Sequence, residues 1–287
     1  MSYSNPRSFK AALLASLLTL GIPLWAQRAH NFSPGFNLFS KEQDVQLGQE
    51  SAAQVRKQMT VIQDPVLTAY VTRVGNRLMA SREAQESGFP FTFEVVADPS
   101  INAFALPGGP MFINTGLLRA VDNEAQLAGV MGHEMSHVIL RHGTNQASKR
   151  NLLLLPAALA AQATNKGSMV GQLEQLGIGV LAGGVLLKFS RTAESEADLT
   201  GSHLMSEAGY DPMEMARFFN KLNAQGGHGL QFLSDHPNPL NRERAIQQEA
   251  RALPQKSYGS DSGEFKKMKG VVAKIQEPKP KPQAPQN

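Results

Sequence analysis

His133-Glu134-Met135-Ser136-His137 reads H-E-x-x-H. On an α-helix, positions i and i+4 lie on one face, one turn apart. Two imidazoles placed this way can reach one metal ion at roughly 2.0–2.1 Å. Glu134 follows the first histidine and flanks the ion without filling its coordination sphere. A carboxylate there can take a proton from metal-bound water and pass it to a leaving amine. The segment from Asn123 to His142 has its own reasons to be helical. Asn123 is placed as an N-cap with Gln126 three residues on, a capping-box pattern. Leu127, Met131, Met135 and Val138 supply an apolar stripe, and Gly143 is a natural stop. The plainer alternative is two solvated histidines on an amphipathic helix.

A catalytic zinc takes three protein ligands and keeps one position open for water. The extended form H-E-x-x-H-x-x-G-x-x-H does not continue here, because Leu140 and Gly143 stand where it needs glycine and histidine. A third ligand must come from elsewhere. The segment from Ser190 to Asp198 reads as the start of a helix running toward Gly209. Glu194 and Asp198 are i, i+4 and share a face, whereas Glu196 points away. A ligating glutamate with an aspartate one turn on suits a pair in which the aspartate holds a ligating histidine through its other ring nitrogen. Spacing alone leaves both Glu194 and Glu196 open as the ligand.

With these motifs in place the chain resembles the M48 zinc metallopeptidases, and among them the soluble periplasmic members of bacteria. The resemblance covers roughly residues 37–255. It rests on Asn102 to Gly109 (NAFALPGG), Asn114 to Leu117 (NTGL), Asn123 to Val130 (NEAQLAGV) and the H-E-x-x-H helix continuing to His142. It extends through Glu194-Ser195-Glu196-Ala197-Asp198 to His236-Pro237-Asn238-Pro239 and Arg242. The resemblance implies one Zn2+ per chain on His133, His137 and Glu194, with Glu134 as general base and Asp198 behind a ligand. It also implies polypeptide substrates, among them misfolded or unassembled envelope proteins. In similar members the histidine of the H-P-x-P segment can join zinc as a fourth ligand, which displaces the catalytic water and keeps the enzyme latent. His236 is thus either a reversible lid ligand or a loop histidine beside the cleft. Pro237 and Pro239 stiffen its segment. Arg242 is a candidate anchor for a carbonyl oxyanion or a substrate terminus. Its plainer reading is a helix-start arginine in a surface salt bridge. His142, five residues past His137, would lie about 140° further round a continuous helix. A packing or hydrogen-bonding role is expected for it.

The first 26 residues read as a secretory signal. Arg7 and Lys10 precede an apolar run from Ala11 to Trp25, with Ala26 at a cleavage position. An uncleaved anchor is the alternative. There is no cysteine, so neither a lipid-modified cysteine nor a disulfide is available. Net charge is +4 with pI near 9.3, and no basic patch interleaved with aromatics is visible, which excludes a nucleic-acid partner. The expected organisation is a signal at 1–26, a peptidase domain at 27–255 and a disordered Pro/Lys-rich tail at 256–287.

Helices are expected from Lys41 to Met59 and Pro65 to Met79, and a strand from Phe91 to Val96. A strand pair from Asn102 to Leu106 and Met111 to Asn114 is expected around a Pro-Gly-Gly-Pro turn. The second of these, with Phe112, Ile113 and Asn114, is expected to be the edge strand beside the zinc helix, where an extended substrate pairs backbone to backbone. Two apolar runs, Leu152 to Ala163 and Leu176 to Leu187, are read as helices too short to span a bilayer. They bury one side in the core, or lie against a membrane or client protein. The expected fold is α+β, mostly helical and zincin-like, with a small sheet beside the H-E-x-x-H helix. The expected activity is peptide-bond hydrolysis in the periplasm, with a peripheral membrane or outer-membrane assembly contact as a further partner. The competing reading is a non-proteolytic, chaperone-like protein that binds clients beside a closed zinc site.

Overall fold

A computed structural model describes residues 32–149, 180–181, 184–185, 189–224, 231–236, 241–254, 256–259 and 263–276. Helix α1 (Lys41–Gln58) starts at a capping box in which Ser40 and Gln43 exchange hydrogen bonds. Helix α2 (Pro65–Met79) starts where Asp64 accepts from the amides of Val66 and Leu67. A short α3 (Arg82–Ser87) ends at Gly88 in the left-handed region. Three strands follow: β1 (Thr92–Val96), β2 (Ala103–Ala105) and β3 (Pro110–Asn114). Their order is β1-β3-β2, with Phe93 opposite Met111 in the parallel pair and Phe104 opposite Phe112 in the antiparallel pair.

This order corrects the expected edge. β3 is the central strand and all five of its residues are buried, so Phe112, Ile113 and Asn114 present no free edge. Met111, Phe112 and Ile113 are apolar on both faces, the pattern of a strand covered on both sides. The edge beside the H-E-x-x-H helix is β2.

Helix α4 (Thr115–Ala120) leads into α5 (Glu124–Ile139), capped by Asn123, whose side chain accepts from the Gln126 amide. Every residue of α5 except Ala125 is buried, so this is a central helix and its histidines are not solvated. At its N-terminus the buried Glu124 accepts two hydrogen bonds from Arg73 of α2, at 3.0 and 2.7 Å, and one from Tyr210 at 2.9 Å. The helix stops earlier than Gly143 implied. Arg141 takes a left-handed conformation (φ 56°), and residues 142–149 are helical again on a new axis. The Arg141 guanidinium fixes that break by donating to Asp44 Oδ2 and the Phe39 carbonyl, both at 2.6 Å.

Helix α6 (Arg191–Glu207) begins at the Ser190 cap and packs along α5. The two backbones meet where Gly201 faces Gly132: a Cβ on Gly201 would lie 3.1 Å from the His133 nitrogen and 3.2 Å from the Gly132 carbonyl carbon. Helices α7 (Met213–Ala224), α8 (Gln231–Asp235) and α9 (Arg242–Ala252) complete the surround. Helix α10 (Gly263–Val272) corrects the expected disordered tail at these residues: Phe265, Met268 and Val272 recur at helical spacing and are buried where α10 packs on α2 and α4.

The first apolar run, Leu152 to Ala163, lies outside the described residues, as does the signal region 1–26. Within the second run, Val180–Leu181 (β4) pairs antiparallel with Gly184–Val185 (β5), so these four residues are not helical as expected. The β-branched valines favour extended backbone, and the glycine disfavours helix. Among the described residues no helix is long and apolar enough to cross a membrane.

Two tests of this packing follow from particular side chains. His203 of α6 lies between Glu249 of α9 (Nε2 to Oε1, 2.6 Å) and Glu83 of α3 (Nδ1 to Oε1, 3.4 Å). Burial disfavours its charge, but the two carboxylates outweigh that and raise its pKa to about 9. Since the folded value exceeds the unfolded one of roughly 6.5, this stabilisation is full below about pH 6.5 and is lost as pH rises through about 9. The difference in urea midpoint between wild type and His203→Gln is therefore expected to shrink from pH 6 to pH 9.5; a constant difference would remove the charged clamp. Gly201→Val, which drives methyl groups into the α5 backbone, is expected to cost about 1–3 kcal/mol in urea unfolding.

Candidate metal centre

Helix α5 carries His133 and His137 on the side facing α6, where the glycine contact brings Glu194 and Asp198 of α6 against them, and Glu134 beside β2. His236 follows α8, and Arg242 opens α9. All of these side chains are buried. His133 Nδ1 lies 2.9 Å from Asp198 Oδ1, and His137 Nδ1 lies 2.9 Å from His142 Nδ1. The Asp198 carboxylate assigns the His133 ring proton to Nδ1 and turns that Nε2 lone pair inward, whereas at His137 either of the two facing Nδ1 atoms can carry the shared proton; both Nε2 atoms point inward. They face each other at 3.1 Å.

With both ring protons on Nδ1, two lone pairs at that distance would repel unless a cation lay between them. Glu194 oxygens stand 3.4 Å from His133 Nε2 and 3.4 Å from His137 Nε2. His236 Nδ1 stands 3.2 Å from His133 Nε2 and 3.1 Å from Glu194 Oε1. Ligands at about 2.1 Å from one tetrahedral ion are about 3.4 Å from each other. The four donor atoms, one from each residue, all lie within 4.8 Å of one another, so this cluster could hold a metal ion. The buried oxygens Glu134 Oε1 and Glu194 Oε2 make no hydrogen bond, as befits atoms whose partner would be a cation or its water.

The electrostatics agree. Glu194 has its pKa held far below the carboxylate range: burial opposes ionisation, but the His133, His137 and His236 rings around it outweigh that. At His133, burial disfavours charge while Asp198 and Glu194 raise the pKa to about 9, so these carboxylates call for positive charge at the ring. A divalent ion on Nε2 would supply it. Burial holds His137 well below its ordinary value, neutral as a ligand must be. Burial raises Glu134.

Of the two glutamates open on spacing, the structure brings Glu194 to the imidazoles. Glu196 faces His142, with Oε2 at 3.1 Å from Nε2. Arg242 makes no surface salt bridge. It is buried, donates to Asp198 Oδ1 at 2.7 Å and lies 3.8 Å over the Phe219 ring. It stands behind His133, committed to Asp198, rather than out in a substrate cleft. Sequence reading did not single out the aromatic walls: Phe189 stacks on His137 at 3.9 Å and Phe232 on His236 at 4.7 Å. No local pattern marks such residues, because their partners lie on other helices.

The strand edge beside α5 belongs to β2 and not to β3. The antiparallel alternation bonds Asn102 and Leu106 to β3, so the Ala103 and Ala105 backbone groups turn the other way. The Ala105 amide donates to Glu134 Oε2 at 3.3 Å, which sets this edge directly beside the glutamate.

The sequence model of Peptidase family M48 matches residues 65–250. The chain belongs to that family. It is 33% identical over 258 residues to the Beta-barrel assembly-enhancing protease of Escherichia coli (strain K12), covering 82% of this chain and 51% of that one. The protein of the same name from Yersinia pestis is 30% identical over 283 residues, covering 90% of this chain and 57% of that one. The Mitochondrial metalloendopeptidase OMA1 of Schizosaccharomyces pombe is 35% identical over 184 residues, covering 63% of this chain and 52% of that one. The chain spans about half the length of these curated relatives. The M48 match contains every residue of the centre, from His133 to Arg242.

If this M48 centre holds a metal, chelator-treated protein should gain stability on adding Zn2+. At a hundredfold excess over Kd the gain is expected to be about 3 kcal/mol, or about 5–10 °C in Tm. The gain should vanish in His133→Ala, as read by differential scanning fluorimetry.

Proposed function

We propose that the chain is a zinc-dependent endopeptidase binding one Zn2+ through His133, His137 and Glu194. The observation that carries this reading is the meeting of three features at one point: inward-facing nitrogen donors, a carboxylate at Glu134 that is not needed to complete the ligand set, and a strand edge beside it. A purely structural zinc has no use for Glu134. When bound, zinc lowers the pKa of a water and polarises the scissile carbonyl.

The protein residues do the rest. An extended peptide adds to the β2 edge through the Ala103 and Ala105 backbone, which favours breadth over sequence selectivity. Glu134 accepts a proton from the attacking water and delivers it to the departing amine. Its buried position, which raises its pKa, suits a group that must both take and give a proton. Asp198 accepts from His133 Nδ1 and fixes that ring, and Arg242 holds Asp198 and offsets its charge.

His236 bears on a second reading. Its Nδ1 is one of the four donors, and its Nε2 is 3.2 Å from Glu134 Oε1. As a zinc ligand, His236 would fill the position that a catalytic water needs and would hold the enzyme latent. A site closed permanently in this way would suit the client-binding alternative. The signal-like residues 1–26 support export to the periplasm, and the names of the bacterial relatives point to β-barrel assembly. They also support substrates among misfolded or unassembled envelope proteins, with a contact to outer-membrane assembly or the membrane surface.

The test is degradation of an unstructured protein by the zinc-loaded chain. Glu134→Gln is expected to lower cleavage by at least about 100-fold, the scale of general acid–base catalysis, with the fold retained. His236→Ala is expected to raise it. Equal cleavage by wild type and Glu134→Gln would sink the mechanism. Absent cleavage in both wild type and His236→Ala, with client binding intact, would favour the binding protein.

A further inference from the structure

We propose that His142 and Glu196 form a hydrogen-bond relay that orients His137 and fixes its tautomer as a metal ligand. The inference rests on the zinc reading of the cluster. Two imidazole nitrogens, His142 Nδ1 and His137 Nδ1, meet at 2.9 Å and can share only one proton. If His137 binds metal through Nε2, its proton sits on Nδ1 and His142 must accept it. The remaining proton of neutral His142 is then on Nε2, aimed at Glu196 Oε2 3.1 Å away. Every donor meets an acceptor along this chain. The reverse assignment fails twice: it puts a proton on His137 Nε2, where the ligand lone pair is needed, and it leaves His142 Nε2 without a proton to offer a carboxylate.

The backbone is built for this contact. On one continuous helix His142 would lie about 140° round from His137. The left-handed Arg141, tied to Asp44 and the Phe39 carbonyl, breaks the axis and swings His142 back against the α5 ring. His142 is 8% exposed, and Phe189, stacked on His137, also lies 6.2 Å from the His142 ring. The two ligand histidines therefore have different supports. His133 leans on the Asp198 carboxylate, itself held by Arg242, and His137 leans on a neutral imidazole whose far nitrogen is held by a carboxylate.

The test is the zinc affinity of the full chain, measured by competition with a chromophoric chelator, beside the Tm of each chelator-treated protein. His142→Phe keeps the ring volume and removes the acceptor, and is expected to weaken zinc binding about 10–100-fold. His142→Asn places its side-chain oxygen near the lost Nδ1 and is expected to recover most of that loss. Glu196→Ala is expected to weaken binding several-fold, and the double variant His142→Phe, Glu196→Ala to match His142→Phe alone. Unchanged affinity in His142→Phe, or equal loss in the Phe and Asn variants, would overturn the relay. If His142→Phe does not fold, wild-type affinity in Glu196→Ala overturns it equally. Wild type that takes up no zinc would sink the zinc reading and the relay together, whereas normal uptake in wild type and all variants sinks the relay alone.

Discussion

Three carboxylates, Glu134, Glu194 and Asp198, are buried in one small volume, and two histidines aim their Nε2 atoms into it. Burying charge is costly unless it is paired. Among the described residues Arg242 is the guanidinium that reaches this group, and it answers one carboxylate. A divalent cation would answer the other two, and three negative charges would then meet three positive ones. The donor geometry, the orphaned carboxylate oxygens and the raised His133 pKa are separate expressions of this balance.

The surrounding structure makes such a cluster possible by keeping water out and backbones close. Helix α5 is buried almost throughout, which is unusual for a segment bearing two histidines and two glutamates. Glu124 is neutralised at its N-terminus by Arg73 and Tyr210, and the others belong to the centre. Gly132 and Gly201 let α6 approach close enough for a glutamate side chain to span the gap. Phe189, Phe219 and Phe232 line the imidazoles and replace solvent at their faces. The β2 edge is set by a backbone contact, the Ala105 amide on Glu134, which couples the strand that would receive a peptide to the group that would move the proton.

Much of this was legible locally. Asn123 capping α5, Ser190 capping α6, Asp64 before α2 and the Pro-Gly-Gly-Pro turn each fix backbone by interactions within a few residues. The readings that failed depend on distant partners. The apolar run Met111 to Ile113 marks a strand covered on both faces, but only pairing with β1 on its far side shows that it is central and not an edge. Gly143 is a plausible helix stop, but Asp44, about a hundred residues earlier, holds Arg141 in the left-handed region and ends the helix sooner. The residues of α10 sit in a Lys-rich, Pro-flanked stretch that reads as tail, yet Phe265, Met268 and Val272 find cover on α2 and α4.

The sequence by itself determined the histidine and carboxylate types of the cluster, the i, i+4 placement of His133 and His137, the Glu134 carboxylate beside them and the i, i+4 pairing of Glu194 with Asp198. Helical periodicity and side-chain chemistry are local properties and can be read from spacing. The tertiary structure decided which glutamate turns to the histidines, which strand offers its edge and that Arg242 serves Asp198. It also decided that His142, on a broken helix axis, reaches His137. Each of these depends on the direction in which one element meets another, and that direction is set by close contacts between residues far apart in the chain.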